Sequence, residues 1–103
     1  MIYNEDTVFY HGTTNKYSIG DYITPASKSN AQTIKTLYRR KTAKVYVTNN
    51  VDAAKFYANR SAEQSGEQPI IYIVRPDKQT LVKVSKTDFA TANAQILDIY
   101  NED

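Results

Sequence analysis

The run Val8-Phe9-Tyr10-His11-Gly12-Thr13-Thr14 decides how the rest of the chain is read. Its β-branched and aromatic residues predict a strand that delivers the only histidine of the chain to its own end, where a glycine without Cβ allows close approach of a ligand. A histidine so placed also has an ordinary use, as a partly exposed ring bonded to a neighbouring carbonyl. Which use applies depends on what the flanking chain brings to the same place.

Downstream, Asn15 to Asp21 is a polar connection ending in a Gly-Asp turn, and Tyr22-Ile23 is a short apolar segment that Pro25 terminates. From Asn30 to Arg40 the spacing of Ile34, Leu37 and Tyr38 predicts a short helix with Lys35, Arg39 and Arg40 outward, and Lys41 and Lys44 extend these into a basic patch. Residues 43 to 48 alternate, with Val45 and Val47 on one face and Lys44, Tyr46 and Thr48 on the other. Asn49-Asn50 caps a second helix from about Val51 to Gln64, with Val51, Ala54, Tyr57, Ala58 and Ser61 on one side and Gly66 as its stop. Ile70 to Val74 is apolar on both faces and predicts the central strand of a sheet, closed by Pro76. Thr80 to Val84 and Ala94 to Tyr100 read as further strands, with Ser85 to Phe89 as their connection.

Composition narrows the function classes. With 103 residues the chain fits one domain with one modest core, and 41 % hydrophobic against 23 % charged residues suits an ordinary globule. Nine Tyr, three Phe and no Trp make that core rich in hydroxyl-bearing rings. The absence of Cys excludes disulfides, thiolate zinc sites and cysteine nucleophiles, and one His builds no zinc site. No apolar run is long enough for a membrane span and no leader pattern opens the chain, so a soluble, cytoplasmic protein is expected. A formal charge of +2 does not argue for nucleic acid, although the patch from Lys35 to Lys44 keeps a nucleic-acid contact open.

Read in order, several short motifs form one series. Tyr10-His11-Gly12-Thr13, Ile19-Gly20-Asp21, Pro25, Ser29-Asn30, Val45-Tyr46-Val47-Thr48, Asp52-Ala53-Ala54, and Ile71-Tyr72-Ile73-Val74 with Pro76 resemble the rifamycin-inactivating ADP-ribosyltransferase family over roughly residues 8 to 76. The resemblance implies an α+β fold, a single small domain with split, mostly antiparallel β-structure and two short helices. It also implies NAD as co-substrate, with an acceptor still to be identified among proteins, nucleic acids and small molecules. His11 would then bond ribose hydroxyls, Gly12 would let the backbone approach the nicotinamide amide, and Tyr46 would offer a stacking ring. Thr13, Ser29, Asn30 and Thr48 complete the implied cofactor-binding set.

The chain departs from the family pattern at one functional position. Counting forward from Pro76, Lys83 stands where the family carries an Asp, and a long loop before the last strand is cut down. Asp77 and Asp88 are the nearest acids, and Asp77 joins His11 and Tyr46 as the expected catalytic set. The resemblance supports two readings: a small enzyme that transfers ADP-ribose from NAD, or a degenerate member of the fold that inhibits by binding a nucleotide or a protein. Released nicotinamide separates them.

Overall fold

The computed structural model describes residues 7–25 and 44–101. The helix expected over residues 30–40, the patch residues Lys35, Arg39, Arg40 and Lys41, and the site residues Ser29 and Asn30 lie outside them. Seven strands, β1 (Phe9–Thr13), β2 (Tyr22–Ile23), β3 (Val45–Thr48), β4 (Ile70–Pro76), β5 (Val82–Lys83), β6 (Asp88–Thr91) and β7 (Ala94–Ile99), accompany one described helix, α1 (Val51–Ser65). The strands lie in the order β2-β7-β4-β1-β3-β6-β5, and every pairing is antiparallel. The middle place belongs to β1; β4, expected there, is its interior neighbour.

The sheet is nearly divided at its centre. β1 keeps step with β4 through five pairs, from Phe9↔Val74 to Thr13↔Ile70, but meets β3 at the single pair Tyr10↔Thr48. Beyond that pair the two strands part, which leaves backbone groups and side chains facing an opening. Phe9 of β1 and Phe89 of β6 hold the two halves together, ring against ring at 5.2 Å and nearly perpendicular. Around them Val45, Val47, Tyr72, Val74 and Ile96 complete a buried core. Opposed residues of an antiparallel pair share a face. Phe9, Val74 and Ile96 therefore lie on the core side, and Tyr10, Thr48 and Asp88 on the other.

Helix α1 covers that second side, and its ends are set by local chemistry. The Asn50 side chain accepts from the backbone N–H of Asp52 at 2.8 Å and of Ala53 at 3.2 Å, meeting two of the donors that a helix start leaves open. Gly66 closes the helix in the left-handed conformation, φ 77°, with its N–H on the Ala62 carbonyl. Ala54 and Ala58 are the buried pair of the helix, and they sit on Gly12. A Cβ at Gly12 would come within 2.0 Å of the Ala54 carbonyl oxygen, so only glycine lets α1 lie this close to β1. The same glycine that lines the cleft thus also admits the helix backbone. Thr14 Oγ1 reaches Ser61 Oγ at 3.1 Å and fixes the same crossing at its far end.

The second half differs from the expected pattern at two elements: the strand expected over Thr80 to Val84 is only β5, with Thr80 in a turn on the Asp77 carbonyl, and a further strand appears. Asp88 to Thr91, which the local pattern assigns in part to a connection and to no strand, forms strand β6, paired with both β3 and β5. No helix among the described residues is long and apolar enough to cross a membrane.

Candidate active site

At the split between β1 and β3 the His11 side chain does what the ladder does elsewhere. Its Nδ1–H donates to the Tyr46 carbonyl at 2.9 Å, bridging strands that no longer pair. A carbonyl only accepts, so this bond assigns the proton to Nδ1 and leaves Nε2 as an acceptor while the ring is neutral. Burial lowers the pKa of His11 below the ordinary imidazole value, with the Tyr46 carbonyl acting in the opposite sense. At neutral pH the ring is therefore uncharged and carries one defined tautomer.

The opening becomes a cleft of about 350 Å³, lined by Tyr10, His11, Gly12, Tyr46, Val47, Thr48, Tyr57, Val84 and Asp88. Tyr46 lies 58 % exposed at its edge, so its ring is available as a stacking surface. Asp88, brought in opposite Thr48, is the one carboxylate among the described lining residues. Tyr57 of α1 donates its hydroxyl to Asp88 Oδ2 at 2.5 Å. That bond to the carboxylate, chiefly, raises the Tyr57 pKa; desolvation and the charge of Asp88 add to it, while Arg60 opposes. The phenol therefore stays protonated and fixes one carboxylate oxygen.

Of the residues singled out by sequence, the structure brings His11, Gly12, Tyr46, Thr48 and Asp88, one of the two nearest acids, to this cleft. Thr48 is buried there with its hydroxyl engaged, donating to the Thr87 carbonyl at 2.9 Å and accepting from Asn50 N–H at 3.2 Å. It holds the turn into α1. Thr13 is also buried, but outside the cleft wall, where its hydroxyl accepts from Asn15 N–H at 3.1 Å.

Asp77 is placed elsewhere. Its carboxylate accepts from Gln79 N–H at 3.2 Å and from the Thr80 hydroxyl at 3.0 Å, and its own N–H donates to the Asn93 carbonyl at 2.9 Å. It builds the turn after β4 and does not line the cleft. Lys83 is absent from the wall too: Val84 lines the cleft, and strand alternation sends Lys83 to the other face. Asp88 and Tyr57 are the lining residues that the expected catalytic set lacked. The signal for Asp88 was a three-residue loop, Ser85-Lys86-Thr87, between Val84 and Asp88, a spacing that hairpins use.

A split antiparallel sheet with a neutral histidine, an exposed tyrosine and a carboxylate at the split is the arrangement on which the comparison with known families can be judged. Residues 9–93 match the family model described as rifampin ADP-ribosyl transferase, and the chain belongs to that family. No individually curated protein matches it.

Proposed function

We propose that the chain transfers ADP-ribose from NAD to a small-molecule acceptor in the cleft at the β1/β3 split. One observation carries this reading: His11, Tyr46 and Asp88, from three different strands, line the same opening. In the reaction the bond from nicotinamide nitrogen to the ribose anomeric carbon breaks. Nicotinamide leaves with the electron pair as a neutral molecule, and an acceptor heteroatom bonds to the carbon and loses its proton. The transition state resembles an oxocarbenium ion, as in glycoside hydrolysis.

Each residue suits one part of this. The Tyr46 ring stacks on nicotinamide, and Nε2 of neutral His11 accepts from a ribose hydroxyl. Asp88 offers negative charge to the oxocarbenium-like carbon and can take the acceptor's proton. A carboxylate already placed where charge develops needs no reorganisation during the reaction, which is why one such group is worth powers of ten in rate. A second reading, retention of the nucleotide without turnover, rests on a different observation: Tyr57 already occupies one oxygen of Asp88.

Nicotinamide release from NAD by wild type, Asp88→Asn and Asp77→Asn decides between them. The expected result is release by wild type, a fall of about 10²- to 10³-fold in Asp88→Asn, and a rate within a few-fold of wild type in Asp77→Asn. NAD binding by wild type without any release would establish the second reading instead. A rate that survives Asp88→Asn would remove Asp88 from the mechanism.

A further inference from the structure

Asp88 brings a carboxylate to the cleft on a side chain whose own torsions leave its oxygens free to turn. Its backbone is settled locally. The Asp88 carbonyl accepts from Val84 N–H at 2.9 Å and from Ser85 N–H at 3.1 Å, and its N–H donates to Ser85 Oγ at 3.2 Å. These bonds close the hairpin from β5 to β6 and fix the Cα, but none of them touches the carboxylate. The adjacent Thr87 hydroxyl reaches Oδ1 at 3.4 Å, beyond the usual span of a hydroxyl–oxygen bond. Tyr57, 31 positions away on α1, donates to Oδ2 at 2.5 Å.

We propose that Tyr57 is the positioning residue of the transfer: its hydroxyl holds Oδ2 of Asp88 so that Oδ1 faces the ribose anomeric carbon and takes the acceptor's proton. The inference rests on the reading of the cleft given above. Nicotinamide leaves with the electron pair of the broken glycosidic bond, the acceptor heteroatom joins the anomeric carbon, and the proton it sheds goes to Oδ1. The occupied oxygen and the reacting oxygen are then different atoms, so the Tyr57 bond is compatible with turnover.

The phenol suits this task in where it is anchored and in what it is. In sequence Tyr57 stands between Ala54 and Ala58, the buried pair of α1 that sits on Gly12. The helix crossing that rests on β1 beside His11 therefore also sets the position of the phenol, and through it the carboxylate. The Tyr57 ring meets the Phe56 ring edge to face at 5.7 Å, which limits its swing. Its hydroxyl stays protonated in the neutral range, chiefly because the bond to Asp88 raises its pKa, so it remains a donor while the cleft works. A reacting group held by a partner that is itself fixed keeps its geometry, and misplacement by about 1 Å costs on the order of 10²-fold in rate.

The test uses the full chain and nicotinamide release from NAD. Tyr57→Phe keeps the ring and removes the hydroxyl, at a position 40 % exposed. It is expected to lower kcat about 10- to 100-fold while KM for NAD stays within about twofold. In an Asp88→Asn background the same change should cost less than about twofold, because the group it orients is gone. Equal loss in both backgrounds, or a loss matched by a fall in melting temperature, would make the hydroxyl merely structural and overturn the proposal. A second measurement needs no turnover: the titration of Tyr57, followed by carbon-13 NMR at Cζ, should move in Asp88→Asn down toward the ordinary phenol value of about 10. An unchanged midpoint would show that the two side chains do not meet in solution and would overturn the proposal by itself. Release by wild type that Tyr57→Phe preserves removes Tyr57 from the mechanism and leaves the transfer reading standing. Wild type that releases no nicotinamide removes the transfer reading, and this inference with it.

Discussion

The two flanks of α1 differ in what they concentrate. On one, a cleft of about 350 Å³ collects a histidine, an exposed tyrosine ring, and a carboxylate bonded to a second tyrosine. On the other, a cavity of about 570 Å³ is walled mainly by isoleucine and tyrosine, with Lys16 and Lys55 among its described lining. Volume favours the second space and chemistry the first. The difference arises from the sheet: β1 and β4 pair throughout and present closed backbone, whereas β1 and β3 part after one pair and leave a carbonyl for His11 to find. Reactive groups gather where the ladder stops.

Gly12→Ala should disturb both flanks, since the crossing of α1 on β1 is their common wall. The added methyl meets a backbone carbonyl at 2.0 Å, so the helix must move, at a cost of roughly 3 kcal/mol in urea unfolding. Adding Ala54→Gly should bring no recovery, because the atom struck is the carbonyl oxygen and not the alanine methyl. Recovery in the double variant would mean that the contact is made by side chains.

Acid should act on the flank that carries His11. The folded His11 pKa lies below its unfolded value, so in the window between the two the unfolded chain binds more protons and folding weakens. The stability held by the neutral ring is complete above about pH 6.5 and declines as pH falls below it. Wild type should therefore lose more melting temperature from pH 7 to pH 5 than His11→Asn. Identical pH profiles for the two proteins would show that the ring titrates as it does in water.

The smallest effect should come from Tyr46. Replacement by Ala removes the stacking ring and should raise the KM for NAD by about fivefold, on the order of 1 kcal/mol, whereas Phe keeps the ring and nearly all the affinity. Equal loss in Ala and Phe would move the function of Tyr46 from the ring to its hydroxyl.

Much of this architecture was readable from local pattern. Asn50 and Gly66 bracket α1 because capping is decided within a few residues, and the alternation of Val45 to Thr48 placed Tyr46 away from the core. The position of Asp88 was not readable in the same way. Asp88-Phe89-Ala90-Thr91 has one strong strand former and no alternation, and it becomes strand β6 only because β3 and β5 offer partners on both sides. Thr48 and Asp77 carry the same lesson: a hydroxyl and a carboxylate in suggestive places are engaged by the Thr87 carbonyl and the Thr80 hydroxyl, which lie distant or in a turn. The reason for Gly12 needed the helix to be seen.

Among the described residues the sheet ends in two strands of two residues each, β2 at one side and β5 at the other. A sheet border is a template on which another chain can add a strand, and the hazard grows with the length of unpaired backbone. Each of these border strands is only two residues long, and on β5 one of the two is the exposed Lys83, a charge that disfavours addition of another strand there. Lys83 thus guards an exposed rim of the sheet, and exchanging it for Val should cost solubility before it costs anything else.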